Sequence, residues 1–301
     1  VSGGPDSLAL LLALKLLAVK DKINIGCCCV NHHLRAAAGK EAEFVESVCR
    51  EWNIPFILKE VDVQSAVRNG GSIETAARDL RYKALREAAR GGGYAKIAVA
   101  HHGDDQAETV LYHLLRGSGV TGLSGMKPIN GDIIRPFLCV SKNEIKDFLK
   151  DFSYVPCHDE SNDVEDAVRN RIRLSLVPVL ISYYPRVTES LRRTADIFRE
   201  EDLFMEEKAD VFISSCVEHD NDKCVFFIAY FLVLHIALQR RVIRKICCMV
   251  AGHIPSFEGT EKFIFLIDAG KTVSVRSSSG TFLEIQYGKA IFYKGSTQNR
   301  I

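Results

Sequence analysis

The chain has 301 residues, which is long enough for two domains with sizeable hydrophobic cores. Hydrophobic residues make up 47% of it and charged residues 26%, a composition that excludes a disordered or fibrous protein. The formal net charge is only +1, so overall charge does not indicate a nucleic-acid partner. A local basic stripe is compatible with this balance, and a prediction of RNA binding therefore has to come from motifs.

The chain contains ten cysteines, five of which stand in two consecutive runs at residues 27–29 and 247–248. Neighbouring side chains on a strand point to opposite faces, which is poor geometry for disulfides, and the C-x-x-C spacing of metal sites is absent. We interpret most of the cysteines as small buried residues in a reducing compartment. The longest apolar run, residues 225–238, is too short to span a bilayer. A cytoplasmic location without membrane contact is predicted.

The first half of the chain alternates apolar, β-rich runs with longer helical patterns. Strands are predicted at residues 23–30, 55–61, 96–100 and 132–137, and helices at residues 7–20, 39–52, 72–90, 104–116 and 142–151. This alternation indicates βαβ units and a doubly wound parallel sheet.

The pattern changes after Tyr183-Tyr184-Pro185, where we place a domain boundary between residues 184 and 185. Residues 186–249 are mostly helical in pattern, and short antiparallel strands are predicted at residues 272–276, 281–286 and 290–293. The predicted fold class is therefore α/β, with a parallel-sheet domain in residues 1–184. A second, mainly helical domain in residues 185–301 ends in short antiparallel strands.

A glycine turn, Ser2-Gly3-Gly4-Pro5-Asp6-Ser7, opens the chain and leads directly into an apolar helix. Glycines let backbone N–H groups approach an anion, and a helix N-terminus adds donors and a partial positive charge. Asp6 would repel a phosphate unless it holds a Mg²⁺ that bridges the phosphates. Taken alone, the turn is also compatible with an ordinary N-cap formed by Asp6 or Ser7.

Two polar clusters follow predicted strands, at the carboxyl edge where doubly wound sheets bind ligands. The first ends in Arg35, which suits a phosphate or an RNA backbone, although a polar turn is the better explanation of this cluster taken alone. The second runs from His101 to Thr109 and includes Asp104, Asp105 and Glu108 on one flank of a helix start. Clustered carboxylates suit Mg²⁺ and a nearby histidine suits proton transfer, but the helix dipole alone also favours an acidic first turn.

The glycine turn matches S-G-G-x-D-S in full and resembles the PP-loop of the ATP pyrophosphatases, which cleave ATP to AMP and pyrophosphate. Further blocks, in order along the chain, resemble the tRNA(Ile)-lysidine synthase family. They are residues 31–35, Glu74-Thr75-Ala76-Ala77-Arg78, the string H-H-x-D-D-Q-A-E-T from His101, residues 115–126, residues 159–162 and Arg169-Asn170-Arg171-Ile172-Arg173. The blocks cover about residues 1–180, and the later region resembles the family's substrate domain more loosely.

The resemblance implies a PP-loop fold of the adenine nucleotide alpha-hydrolase type and an ATP-dependent ligase. In the implied reaction, ATP adenylates the C2 oxygen of the wobble cytidine of an isoleucine tRNA with a CAU anticodon. The ε-amine of free L-lysine then attacks C2 and expels AMP, which leaves lysidine. ATP and Mg²⁺ are the implied cofactors, isoleucine tRNA and lysine are the implied partners, and a homodimer is left open.

The resemblance also implies roles for individual residues. The nucleotide would contact Ser2, Gly3, Gly4, Pro5, Asp6, Ser7, Arg35 and His101, and Mg²⁺ would contact Asp6 and Asp105. The catalytic group would be Asp6, Arg78, His102, Asp105 and Glu108, and tRNA would contact Arg116, Arg169, Asn170 and Arg173. The acceptor of the lysine proton stays open between His102 and a carboxylate of Asp104 or Glu108.

A basic stripe in the second domain is a further candidate for RNA contact. Arg240 and Arg244 share one helix face, as do Arg241 and Lys245. RNA phosphates suit such a stripe, and we predict that Arg240, Arg241 and Arg244 bind tRNA, with Arg192 and Arg193 as an extension of the stripe. The alternative is a solvated helix face.

Two other functions are compatible with the same motifs. A tRNA thiolase of the PP-loop class would use the same adenylation but transfer sulfur. Its relatives usually carry C-x-x-C clusters or paired catalytic cysteines, and neither Cys139 nor Cys157 lies in such a context. The other alternative is a non-catalytic module that binds nucleotide or RNA, against which the intact carboxylates at positions 6, 104, 105 and 108 argue.

Overall fold

The computed structural model describes residues 1–32, 38–63, 73–152, 167–220, 222–270, 273–276 and 280–294. The chain divides into two compact units, Val1–Arg199 and Glu200–Ile301. The sequence placed the boundary at residues 184/185, whereas this division falls inside a continuous helix, Val187–Cys216. Residues in the first part of that helix contact the first unit, since an Arg199 guanidinium nitrogen donates to the Met126 carbonyl at 3.4 Å. No proline or glycine interrupts the helix to mark the division.

The first unit contains short parallel strands connected by helices, in agreement with the predicted α/β class. Its elements are α1 (Pro5–Asp21), β1 (Cys27–Asn31), α2 (Ala38–Glu51), β2 (Phe56–Glu60), α3 (Ile73–Gly91), β3 (Ile97–Ala98), α4 (Gly103–Leu115), α5 (Val120–Leu123), β4 (Ile129–Asn130), β5 (Ile133–Ile134), a 3₁₀ turn (Pro136–Cys139), α6 (Lys142–Asp151), α7 (Ala167–Arg171), a π-helical turn (Ile172–Leu176) and α8 (Val177–Tyr183). β1 pairs with β2 in parallel, and so does β3 with β5, while β4 runs antiparallel to β5.

The core of the first unit lies between α1, β1 and α2. Leu8, Leu11 and Leu12 of α1 are buried against Val45 and Trp52 on and after α2. The cysteines of β1 belong to the same core, because Cys27 and Cys29 are 2% and 5% exposed. This packing confirms the interpretation of these two residues as small buried side chains that replace ordinary aliphatic ones. Cys139 and Cys248 are exposed, and Cys157 lies outside the described residues.

The second unit begins within α9 (Val187–Cys216) and is a helical layer on a five-stranded antiparallel sheet. Its further elements are β6 (Val217–Asp220), β7 (Lys223–Phe227), α10 (Ile228–Leu232), α11 (Ile236–Ala251), α12 (Phe257–Ala269), β8 (Val273–Arg276), β9 (Thr281–Gln286) and β10 (Lys289–Lys294). The strand order is β6-β7-β10-β9-β8. Phe226, Leu283 and Phe292 on its inner face pack with Ile246 of α11 and Phe263 of α12.

The prediction of a mostly helical stretch over residues 186–249 is confirmed, and β6 and β7 interrupt it. β7 pairs with β10, so a strand remote in sequence supplies the hydrogen bonds that hold it extended. Local apolar pattern does not reveal this partner, and these two strands were not predicted. None of the described helices combines the length and the apolar character that crossing a bilayer needs.

Candidate active site

The glycine turn forms an uncapped helix N-terminus. Gly4 is the N-cap of α1, Pro5 follows it, and no side chain caps the helix. The alternative of an ordinary N-cap by Asp6 or Ser7 is therefore wrong. Gly3 has a φ of +82°, in the left-handed region that glycine adopts without strain. The Ser7 hydroxyl donates to the Gly4 carbonyl at 3.0 Å and lies 3.2 Å from the Ser2 hydroxyl, so both serines line the turn.

His102 is buried at the centre of the predicted catalytic group. It is the N-cap of α4, where the Asp105 backbone N–H donates to His102 Nδ1 at 3.4 Å and the His102 backbone N–H donates to Asp105 Oδ2 at 2.9 Å. Its other ring nitrogen, Nε2, lies 3.7 Å from Asp6 Oδ2 and 3.5 Å from Asp105 Oδ2. The structure thus brings Asp6 and Asp105, which were predicted to hold one Mg²⁺, close to the same nitrogen of one imidazole.

Both ring nitrogens of His102 lie close to carboxylates. Nδ1 accepts from the Asp105 N–H and lies 3.6 Å from Asp104 Oδ2, whereas Nε2 faces Asp6 and Asp105. Asp104 Oδ2 also accepts from the Lys142 backbone N–H at 2.7 Å and so joins the starts of α4 and α6.

Glu108 lies one turn further along α4 and is held by Arg173. The guanidinium contacts Glu108 through two nitrogens, at 2.7 and 3.0 Å, and reaches Asp105 Oδ1 at 3.1 Å. Burial raises the pKa of Glu108 above its ordinary value, while the contact with Arg173 acts in the opposite direction. A cavity of about 170 Å³ borders this group and is lined by His102, Asp104, Glu108, Lys142 and Arg173, together with two residues of α8 and α9.

His101 faces a second group of charges. Arg135 Nε donates to His101 Nδ1 at 3.2 Å, and an Arg135 guanidinium nitrogen donates to the Lys127 carbonyl at 2.8 Å. Burial, helped by the charges of Arg135, Arg81 and Arg78, lowers the pKa of His101 to about 4, although Asp105 acts in the opposite direction. His101 is therefore neutral at pH 7, and its Nδ1 accepts from Arg135.

The low pKa of His101 predicts a loss of stability in acid. In the unfolded chain the ring charges below about pH 6.5, whereas in the folded protein it stays neutral down to a pKa of about 4. The stabilising contribution is complete above pH 6.5 and falls with pH, by up to about 3 kcal/mol near pH 4. Urea unfolding at pH 7 and pH 4.5 measures it. His101→Asn should lose less stability than wild type over this interval, and an equal loss would contradict the assignment.

Gln106 explains why the residues after α4 contain a glycine-rich turn. Its side chain is 1% exposed, accepts from the Met126 N–H at 2.8 Å and donates to the Met126 carbonyl at 3.1 Å. Gly125 has a φ of +62°, and a Cβ there would lie 2.7 Å from the Gln106 side chain. The turn therefore packs directly on the helix that carries Asp105 and Glu108, which makes it part of the support for the site.

The glycine turn and the two aspartates form a donor set suited to a phosphate ligand and a hard cation. Among the described residues there is no group of three or more His, Cys, Asp and Glu side chains that could hold a metal ion. Mg²⁺ does not need such a group, because it commonly takes one or two carboxylates and completes its shell with waters and phosphate oxygens. Asp6 and Asp105 supply two carboxylates beside the uncapped helix N-terminus.

Comparison with known proteins identifies the family of the chain. A family model described as the PP-loop domain matches residues 1–180. The tRNA(Ile)-lysidine synthase of Thermotoga sp. strain RQ2 is 33% identical over 300 residues, which cover 98% of this chain and 70% of that protein. The tRNA(Ile)-lysidine synthase of Caldanaerobacter subterraneus subsp. tengcongensis is 38% identical over 261 residues, or 86% of this chain and 56% of that protein.

The chain belongs to the tRNA(Ile)-lysidine synthase family. This confirms the resemblance on which the sequence interpretation was based, and the PP-loop domain is an ATP-binding domain. The chain spans little more than half of the Caldanaerobacter relative's length. Among solved structures, the U34-tRNA thiolase NcsA of Methanococcus maripaludis, with its [4Fe-4S] cluster, is similar with a TM-score of 0.56. Its sequence identity is 17%, over 66% of this chain and 71% of that one, so this likeness shows the fold alone.

The family's arginine-rich block, residues 169–173, lies against α4. Arg169 donates to the Thr109 hydroxyl at 3.1 Å, and Arg173, four residues later, contacts Asp105 and Glu108. Asn170 is half-buried between them. Arg173 was predicted to contact tRNA, but its guanidinium is engaged by the acidic group of the candidate active site. The block therefore helps to build that site.

Two other predicted residues lie away from the acidic group. Arg116 is exposed beyond the end of α4, eleven residues after Asp105, which corresponds to roughly 16 Å along a helix. Arg78 is exposed on α3, where its guanidinium lies 5.5 Å from the Tyr82 ring. Arg35 lies outside the described residues.

Most of the predicted basic stripe of the second unit is neutralised by acidic side chains. Arg240 pairs with Glu261 at 2.7 Å, and Arg241 pairs with Asp202 at 2.7 Å and Glu206 at 2.6 Å. Lys245 pairs with Glu206 and Asp210. Arg244 is exposed, and no ion pair is seen for it among the described residues. The guanidinium groups of Arg240 and Arg241 hold α11 to α12 and α9. The tRNA contact of Arg240, Arg241 and Arg244 stays a prediction.

The sequence interpretation missed Arg135 and Lys142. Arg135 stands directly after β5, at the carboxyl edge that should have marked it as a candidate. The Lys142 backbone N–H donates to Asp104, and the identity of the Lys142 side chain does not predict this contact.

Proposed function

We propose that this chain catalyses the ATP-dependent attachment of free L-lysine to C2 of the wobble cytidine of isoleucine tRNA, which produces lysidine, AMP and pyrophosphate. The observation that carries the proposal is the convergence of Asp6 and Asp105 on His102 beside the glycine turn, in a chain of this family. Family membership favours this reaction over sulfur transfer. A cytoplasmic location and a homodimer stay predictions.

In the first step, the cytidine C2 oxygen attacks the α-phosphorus of ATP and pyrophosphate leaves. The backbone N–H groups at the start of α1, together with the Ser2 and Ser7 hydroxyls, would bind the pyrophosphate. Asp6 and Asp105 would hold Mg²⁺, which neutralises phosphate charge when bound. Arg78 and His101 would stabilise the phosphate oxygens, and the effect of the Arg78 charge on the pKa of His101 supports a shared role for the two residues.

In the second step, the lysine ε-amine attacks C2, the C2–oxygen bond breaks and AMP leaves. The amine has to lose a proton, and three side chains that line the cavity of about 170 Å³ could accept it. Arg173 engages both Glu108 oxygens, and a backbone N–H engages Asp104 Oδ2. The acceptor therefore stays open between His102, Asp104 and Glu108.

Mass analysis of the anticodon nucleoside tests the proposal directly. The purified chain is incubated with ATP, Mg²⁺, lysine and unmodified isoleucine tRNA, and the tRNA is then digested to nucleosides. Lysidine should replace cytidine at the wobble position only when lysine and ATP are both present. Pyrophosphate release that requires tRNA but produces a sulfur-containing nucleoside would establish the thiolase instead, and the absence of release would indicate a non-catalytic module.

Replacing both Cys139 and Cys157 with serine should leave lysidine formation within about twofold of wild type, because amine transfer needs no thiol. Cys139 is exposed and lines a different cavity, of about 340 Å³, from the one that borders Glu108. Initial rates of pyrophosphate release compare the variant with wild type. Complete loss of turnover in a well-folded double variant would favour sulfur transfer.

A further inference from the structure

Arg173 lies at the start of a π-helical turn and reaches into the acidic group from outside the sheet. Ile172, its neighbour, is 3% exposed and anchors the turn. One helical turn earlier, Arg169 contacts Thr109, so the segment is attached to α4 at two levels. π-helical turns are rare and are often found at functional sites.

The acidic group needs a cation to be stable in the absence of ligands. The side chains of Glu108 and Asp105 are 7% and 20% exposed, and that of Arg173 is 25% exposed. Carboxylates so close together and so little hydrated repel one another unless a positive charge lies between them. Arg173 supplies that charge, with two contacts to Glu108 and one to Asp105 Oδ1.

The Arg173 guanidinium therefore contacts Asp105, which is one of the carboxylates that the proposed function assigns to Mg²⁺. Asp105 Oδ2 faces His102 and Asp6, whereas Oδ1 faces Arg173. A divalent cation that binds Asp6 and Asp105 has to share Asp105 with a positive charge, which weakens its binding. A bound triphosphate adds several negative charges at the uncapped N-terminus of α1. Their attraction for the cation exceeds the repulsion from Arg173, so the cation binds.

We propose that Arg173 is a positioning residue that holds Asp105 and Glu108 in the nucleotide-free protein and makes divalent-cation binding depend on ATP. The inference rests on the proposed function, since that function assigns Asp6 and Asp105 to the cation. On nucleotide binding, Arg173 keeps its paired contact with Glu108 and yields Asp105 Oδ1 to the cation. Metal and nucleotide then enter the site together.

Electron paramagnetic resonance of Mn²⁺ tests this without tRNA, lysine or turnover. Free Mn²⁺ is titrated with the intact chain, with and without ATP, and only binding that Asp6→Asn removes is counted. Wild type should bind Mn²⁺ at least about a hundredfold more tightly with ATP than without it. Arg173→Gln should raise the nucleotide-free affinity by roughly tenfold, because a neighbouring positive charge is removed.

Arg169→Gln is the matched control, since it removes the same charge one turn earlier from a residue that contacts Thr109 rather than a carboxylate. It should change the nucleotide-free Mn²⁺ affinity by less than about threefold. Arg173→Lys retains the charge and should bind Mn²⁺ as weakly as wild type. A purely structural role of Arg173 predicts equal or lower Mn²⁺ affinity in Arg173→Gln, and that result would overturn the proposal.

The wild-type and Arg173→Lys titrations keep the proposal testable even if Arg173→Gln does not fold. Mn²⁺ affinities within threefold of each other with and without ATP would overturn the proposal, as would clearly tighter nucleotide-free binding in Arg173→Lys. Failure of the proposed function has a different signature. In that case lysidine is absent from the nucleoside analysis while the ATP dependence of Mn²⁺ binding persists.

Discussion

Turnover should fall at least about a thousandfold when Asp6 is replaced by alanine, while the protein stays folded. Asp6 lies in the first turn of α1 with its Oδ2 3.7 Å from His102 Nε2, and it is partly exposed rather than part of the core. Without this carboxylate the site has only Asp105 to hold a cation at the triphosphate. The loss in folding free energy should not exceed about 1 kcal/mol, the value of one acidic residue at a helix N-terminus.

Pyrophosphate release in the presence of ATP, Mg²⁺, lysine and tRNA measures the effect, and urea unfolding checks the fold. Asp21→Ala is a matched control, because it removes a carboxylate from the last residue of the same helix. It should turn over at the wild-type rate. Wild-type turnover by a folded Asp6→Ala variant would remove Asp6 from the mechanism.

Replacing Arg241 with alanine should destabilise the second unit by about 3 kcal/mol, because it leaves a buried carboxylate without its partner. The side chains of Arg241 and Asp202 are 14% and 4% exposed, and Arg241 also contacts Glu206. Arg244→Ala, on the same helix but at an exposed position, should change the free energy of unfolding by less than about 0.5 kcal/mol. Urea unfolding of the two variants compares them directly.

The same pair of variants separates stability from RNA contact. If Arg244 binds phosphate, Arg244→Ala should weaken tRNA binding and reduce the slope of its salt dependence by about one unit of charge. An unchanged tRNA affinity and an unchanged slope of its salt dependence would show that Arg244 is an ordinary solvated side chain. Equal stability of Arg241→Ala and wild type would show that its ion pairs contribute nothing and would reopen the basic stripe as an RNA surface.

Local sequence was sufficient for the parts of the site that are built by neighbours along the chain. The glycine turn, the helix after it and the acidic first turn of α4 are each specified within about ten residues. Glycine at position 3 adopts a left-handed φ, and helix geometry places Asp105 and Glu108 on one flank. The resemblance implied that Asp6 and Asp105 hold one Mg²⁺. The structure brings both carboxylates within 3.7 Å of His102 Nε2, and their role as metal ligands stays a prediction.

The charge pattern along a helix did not predict which groups the charged side chains contact. The sequence indicated a free basic face at Arg240, Arg241 and Lys245, yet residues 21 or more positions away on α9 and α12 neutralise them. Helix periodicity says which side chains share a face but not which element covers that face. Arg173 shows the same limit in the opposite direction, since it contacts a group 65 and 68 positions earlier in the chain.

What the sequence alone determined was therefore the glycine turn at a helix start, the acidic first turn of α4 and the parallel pairing of the first strands. Only the tertiary structure decided that β6 and β7 join a sheet completed by β10, and that Arg173 lies with the carboxylates. Each of these depends on hydrogen bonds between partners that are remote in sequence. A strand's partner and an arginine's counter-ion are selected by the low-dielectric surroundings in which they are buried, and those surroundings exist only once remote segments have packed.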